Sequence, residues 1–267
     1  MKYCIICCGG NIPFTLASEI VKENEVYLIL VENFYEDKRL HGFSNIILPI
    51  GKLGKALSYL KVNNITNLII IGNINMPNLA DIKPDLQGGI VLSKILTMKN
   101  KGDDAILRII SNFFEKNGIQ IIPATQFLKN NIQTKTWLQP DIGELEDIDF
   151  GSKTLDEISN LDIAQSIVVC NKRVIGIEGV EGTDELIKRC GHYLQNNRFQ
   201  GKPILIKKPK KYQDLRLDTP TIGLQTVENL ILHNFAGLAT KTSEMIVLNQ
   251  GELISILNKN NIFWYNI

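Results

Sequence analysis

Histidine is scarce. His41, His192 and His233 are the only three in 267 residues, and they stand far apart without metal-ligand spacing. A zinc centre and histidine-centred catalysis are therefore poor readings. No apolar run approaches the ~18 residues that a membrane-spanning helix needs. Neither sign of charge is in excess: 29 basic against 28 acidic residues leave a net charge of +1. No global field then draws the chain to nucleic acid or anionic lipid. Cysteine is odd in number, with Cys4, Cys7, Cys8, Cys170 and Cys190 mostly in apolar segments. That usage suggests buried thiols in a reducing cytoplasm. Cys4 and Cys7 form a C-x-x-C, but residues three apart in a strand face opposite ways and cannot share an ion. The opening M-K-Y-C-I-I-C-C-G-G meets glycines too early for a secretory leader and reads as a first strand.

What is present is an alternation of strand and helix signals. Tyr3–Cys8, Val26–Val31, Ile46–Leu48, Leu68–Ile71 and Gln120–Ile122 read as strands. Helices are expected after Pro13, from Gly54 through Leu60, and over Pro84–Met98 and Asp103–Lys116. Such alternation predicts a parallel sheet with helices on both faces, a Rossmann-like domain over residues 1–132. Gly9-Gly10-Asn11 sits at the carboxyl end of the first strand, where such sheets take ligands. It is not G-x-G-x-x-G, so a tight turn or a loop touching another ligand is the better reading than a dinucleotide site. Residues 133–149 have poor periodicity and an acidic run, and read as a linker. Residues 150–267 read as a second, mixed α/β domain. Ser166–Cys170 and Arg173–Glu178 form a hairpin about Asn171-Lys172, and Thr183 caps a helix.

Two stretches of that second half concentrate charge. Glu178, Glu181 and Asp184 surround one expected helix start. Asp214, Arg216 and Asp218 alternate with Leu215 and Leu217, which predicts a strand with the three charges on one face. A helix is then expected from Thr221. Lys207, Lys208, Lys210 and Lys211 add positive charge. Carboxylates, basic groups and helix N-termini together are the parts of a magnesium-assisted phosphate reaction. The plainer reading is a surface strand with a salt bridge, and Asp184 as an acid suited to a first helical turn.

A resemblance carries the reading further. G-G-N-I-P near the start, G-D-D-A-I-L at 102–107, L-D-I-A-Q-S-I-V-V at 161–169, E-G-V-E-G-T-D at 178–184 and Q-D-L-R-L-D-T-P-T-I-G at 213–223 occur in order. Together they resemble the UDP-2,3-diacylglucosamine pyrophosphatase family of the LpxI type, over essentially the whole chain. The resemblance implies a lipid A pathway enzyme of Gram-negative bacteria. It would cleave UDP-2,3-diacylglucosamine to 2,3-diacylglucosamine 1-phosphate (lipid X) and UMP, with Mg²⁺, between two domains. It also implies Asp218 as the catalytic aspartate. Asp218, Asp184 and Glu181 are the expected metal ligands. Gly9, Gly10, Asn11, Gln165, Thr183, Lys207, Gln213, Arg216 and Thr221 are the expected substrate contacts. The enzyme would be cytoplasmic, at most peripheral at the inner membrane surface, with no nucleic acid partner; oligomeric state stays open. Ala164 stands where the family usually has Gly, and Gly179 where it usually has Ala. A Rossmann oxidoreductase and a non-catalytic nucleotide-sugar binding protein remain the alternatives.

Overall fold

The computed structural model describes residues 1–73, 78–98, 102–128, 136–197 and 200–267. The chain divides into two compact units. One comprises Met1–Lys129 together with Asp214–Asp218; the other comprises Asn130–Gln213 and Thr219–Ile267.

The first unit runs β1 (Lys2–Cys7), α1 (Ile12–Ile20), β2 (Glu25–Val31), β3 (Ser44–Leu48), α2 (Leu53–Val62), β4 (Asn67–Ile71), α3 (Leu86–Thr97), α4 (Asp103–Glu115) and β5 (Gln120–Ile121). Its strands pair in the order β3-β2-β1-β4-β5, all parallel. Strand order reverses between β1 and β4, as in the doubly wound folds. The expected Rossmann-like sheet is what forms. Period-two packing puts Cys4, Ile29 and Leu68 on the pleat that meets Leu57 and Leu60 of α2 and Phe114 of α4. Pro13 lies in the first turn of α1, where its missing N–H costs nothing.

The second unit runs α5 (Ile142–Ser159), β6 (Ser166–Cys170), β7 (Arg173–Ile177), α6 (Thr183–Asn196), β8 (Ile204–Lys207), β9 (Thr221–Ile222), α7 (Leu224–Leu232), β10 (Gly237–Thr240), β11 (Ile246–Val247), α8 (Gln250–Lys259) and β12 (Phe263–Asn266). The main sheet is mixed, in the order β12-β10-β8-β6-β7, and β9 pairs with β11 in a small parallel ribbon. Strands β8, β10 and β12 are parallel; β6 and β7 are antiparallel to their neighbours. Val168, Leu205, Leu238 and Trp264 face α6, α7 and α8. The alternate residues Ile167, Val169, Ile204 and Ile206 face α5. Gly151 lets α5 lie close, since a Cβ there would sit 2.8 Å from Ile206 and 2.9 Å from Val169.

Three sequence expectations need correction. Residues 142–149 are not linker but the first half of α5; residues 133–135 lie outside the described residues. A capping box starts this helix: Asp141 accepts from the Glu144 N–H, and Glu144 accepts from the Asp141 N–H. Its apolar period is blurred because Ile142 and Leu145 are exposed while Asp147 is buried. Asp147 accepts the N–H groups of Asn171 and Lys172 at 2.8 and 2.5 Å and so braces the β6–β7 turn. Both turn residues are left-handed, at φ 52° and 55°, as a two-residue hairpin loop requires.

The second correction is the segment 213–219, which is a turn and not a strand. The Leu217 and Asp218 N–H groups donate back to the Asp214 carbonyl. The Asp214 side chain accepts from the Arg216 N–H. Local side-chain bonding of this kind competes with a strand ladder, and here it wins. Leu217 is buried in the core of the first unit, while Leu215 is only half-buried. Third, Thr221 and Ile222 form β9, and the helix begins later, at Leu224.

Candidate active site

The expected contact residues divide between the two units. In the first, Gly9 and Gly10 end β1 against Gly72 and Asn73. The Gly9 N–H donates to the Asn73 carbonyl at 2.8 Å, and the return bond is 3.0 Å. A Cβ on Gly9 would lie 3.0 Å from that carbonyl oxygen. The glycine is thus required by the approach of another loop. Asn11 is the N-cap position of α1, yet its side chain makes no capping bond.

Asp214–Asp218 is moored to α4. The Asp214 N–H donates to Asp104 at 2.9 Å, and Asp104 also holds Arg108 at 2.6 Å. The Arg216 guanidinium is clasped by Asp214 through Nε and Nη2 at 3.0 and 2.7 Å, and by Glu115 through Nη1 at 2.8 Å. Hydrogen bonds from Arg216 hold the Asp214 carboxyl below its usual range, and the two acids push the guanidinium higher still. Asp214 and Glu115 thus take three of the five N–H donors of the Arg216 guanidinium. Asp218 follows this clamp, half-buried, with its N–H on the Asp214 carbonyl at 3.2 Å. The turn therefore fixes the backbone of Asp218 through its neighbours.

In the second unit the structure brings Gln165, Thr183, Lys207 and Thr221 together. Lys207 ends β8 and is buried, at 7 % exposure. Its Nζ donates to the Thr183 hydroxyl at 2.8 Å and to the Thr221 carbonyl at 3.0 Å. Thr183 is not the cap expected of it: Gly182 is the N-cap of α6, and Thr183, its first residue, donates to Glu178 Oε1 at 2.7 Å. Glu178 Oε2 accepts the Gln165 N–H at 3.0 Å, and Ser166 Oγ lies 3.1 Å from Thr183 Oγ1. The sequence marks Glu178 only as one of three acids about a helix start and does not single out Ser166. Their signal was available only as polar residues flanking a hairpin. Gln213 Oε1 accepts the Lys210 N–H at 2.9 Å.

The expected metal ligands are variously engaged. Glu181 pairs with Arg189 at 2.7 Å, and that bond lowers its pKa. Asp184 accepts from the Thr226 hydroxyl at 2.9 Å. Among the described residues, no three His, Cys, Asp or Glu side chains cluster to hold an ion. The five cysteines are buried and unpaired. Burial raises Cys8, Cys170 and Cys190 to about 11, which makes inert thiols. Among the described residues no helix is long and apolar enough to cross a membrane.

Comparison with known proteins gives a consistent result. The LpxI N-terminal domain matches residues 2–131, and the LpxI C-terminal domain matches residues 132–265. A relative from Caulobacter vibrioides (strain ATCC 19089 / CIP 103742 / CB 15), named UDP-2,3-diacylglucosamine pyrophosphatase LpxI, is 28% identical over 268 residues. The alignment covers 98% of this chain and 96% of that protein. Two domain matches in order, end to end, on a fold with two compact units lead to one conclusion: the chain belongs to the LpxI family.

Proposed function

We propose that the chain hydrolyses the pyrophosphate of UDP-2,3-diacylglucosamine to 2,3-diacylglucosamine 1-phosphate and UMP, as a step of lipid A synthesis. The observation that carries this reading is the end-to-end likeness to a pyrophosphatase of that name, in both domains. Asp218 is the group on which the chemistry turns. Its backbone is fixed by a turn that two ion pairs brace, which suits a carboxylate that must orient an attacking water. Gln165, Thr221 and the Lys207 group supply polar contacts for the nucleotide and phosphates. We place the enzyme in the cytoplasm, peripheral at the inner membrane surface at most.

Mg²⁺ belongs to this proposal. The ion takes one or two carboxylates and completes its shell with water and phosphate oxygens, so a three-residue cage is not needed. Asp218 offers an oxygen of the right hardness; Asp184 is engaged by the Thr226 hydroxyl and Glu181 by Arg189. When bound, the ion would polarise phosphoryl oxygens and offset their charge.

Purified protein tests the reading directly. Wild type should release UMP from UDP-2,3-diacylglucosamine, and chelation with EDTA should stop it until Mg²⁺ is restored. Asp218→Asn should lose two or more decades of kcat, given ~10²–10⁴ for a general base alone. No turnover by wild type with Mg²⁺ present, or full activity in Asp218→Asn, would overturn it.

A further inference from the structure

Thr183 was expected to touch substrate, but its hydroxyl is already filled. A carboxylate oxygen only accepts, so the Thr183 proton goes to Glu178 at 2.7 Å. An ammonium only donates, so Lys207 uses one lone pair of Thr183 at 2.8 Å. With its proton spent, Thr183 must accept from Ser166 at 3.1 Å. One donor and two acceptor sites are all that a hydroxyl has. The three partners come from three different places: the start of β6, the loop after β7 and the end of β8. Thr183 and Lys207 are both buried, at 9 % and 7 % exposure. A buried ammonium needs a compensating charge, because desolvating it alone is costly. Glu178 supplies a negative charge one hydroxyl away. Its second oxygen holds the Gln165 N–H at 3.0 Å.

We propose that Glu178 is a positioning residue that acts through the Thr183 hydroxyl on Lys207, fixing where the ammonium points. The proposal rests on the pyrophosphatase reading for its consequence, but the relay itself does not. In the relay, Glu178 orients Thr183, and Thr183 fixes one Lys207 proton. The Thr221 carbonyl fixes another at 3.0 Å. Lys207 is thereby held rigid between α6 and β9, and an ammonium held in place is what electrostatic stabilisation of phosphate charge requires. Thr183 is then a bridge and not a substrate ligand through its side chain. The loop that follows Glu178 is anchored at its base and open at its tip, where Val180 is fully exposed.

The test combines kinetics with a spectroscopic signal from Lys207. Glu178→Gln keeps the shape but has one acceptor where two are needed. Thr183→Val keeps the shape and removes the hydroxyl; Thr183→Ser restores it. Both disruptive variants should lose at least about tenfold in kcat, the equivalent of about 1.4 kcal/mol. The double variant should be no worse than either alone, since the two act as one unit. Thr183→Ser should recover most of the loss. In proton–nitrogen correlation spectra of lysine ammonium groups, Lys207 should give a slowly exchanging signal in wild type and Thr183→Ser. That signal should move or vanish in Glu178→Gln and Thr183→Val. Additive kinetic losses, or a Lys207 signal unmoved by Glu178→Gln, would overturn the relay. Should wild type fail to cleave UDP-2,3-diacylglucosamine, the pyrophosphatase reading falls, and the Lys207 spectra alone still decide the relay.

Discussion

Asp214 and Asp218 lie four residues apart and should respond oppositely to the same change. Asp214 is the structural acid: it accepts from Arg216 three times over and anchors the turn. Asp214→Asn should cost about 1–3 kcal/mol, the worth of charge-assisted bonds lost from a partly buried group. Urea denaturation should show this, with kcat per folded molecule falling far less than in Asp218→Asn. Its pKa is depressed in the folded state. The stabilisation is therefore present above the unfolded carboxyl value and fades as pH falls through the folded one. An Asp214→Asn protein as stable as wild type at pH 7 would contradict the structural role given to Asp214. Ala164 is a second informative residue. It sits at φ 55°, where an L side chain is strained and glycine is not. Ala164→Gly should be neutral to stabilising by up to about 1 kcal/mol, once the unfolded-state entropy of glycine is counted. A clear loss of stability would show that the Ala164 methyl group packs where its backbone strain says it should not. The resemblance implied a glycine at this position; the left-handed backbone that would suit one was not legible in the sequence.

At the scale of elements, the sequence was most legible where a strand is buried on both faces. Strands β1, β2, β4, β6 and β8 are near-continuous apolar runs, and a sheet covered on both faces demands that. The reading failed where polar side chains shape the backbone locally. D-L-R-L-D has the period of a strand, but Asp214 turns the chain back on itself. Helix α5 was hidden because Asp147 spends its carboxylate on the β6–β7 turn. Asp147→Ala should leave the Asn171 and Lys172 N–H groups without that acceptor and cost about 1–3 kcal/mol. Helices α6 and α7 meet at a further polar seam. Gly191 lies so close to His233 that a Cβ would sit 2.5 Å away. Buried His233 has an Nδ1 without a partner among the described residues, beside His192. Burial first, then His192 and Lys188, lowers its pKa. The fold thus favours neutral His233. That contribution is complete above the unfolded value of about 6.5, and shrinks as pH falls from there through the folded value. Urea midpoints at pH 7.5 and 5.5 should differ less in His233→Gln than in wild type. Equal differences would mean that His233 does not report on the seam.

At the scale of the whole molecule, the two units are not two consecutive pieces of sequence. Five residues of the later half, Asp214–Asp218, belong to the first unit, with Leu217 in its core. Boundary reasoning from composition could not see this, because the crossing consists of one turn. Leu217→Ala should cost about 2–5 kcal/mol, the range for a buried leucine. Hydrogen exchange should show the loss in β1 and β4 and spare β6 and β8. Equal loss in both sheets would contradict the assignment of Leu217 to the first unit. The most direct measurement for the function is cleavage of UDP-2,3-diacylglucosamine by the purified protein in ¹⁸O water, with Mg²⁺ and mass analysis of both products. The family resemblance implies water attack on the phosphorus that bears the sugar, so UMP should come without label and 2,3-diacylglucosamine 1-phosphate should carry one ¹⁸O. Label in UMP would contradict that implied attack, and an intact substrate would contradict the function itself.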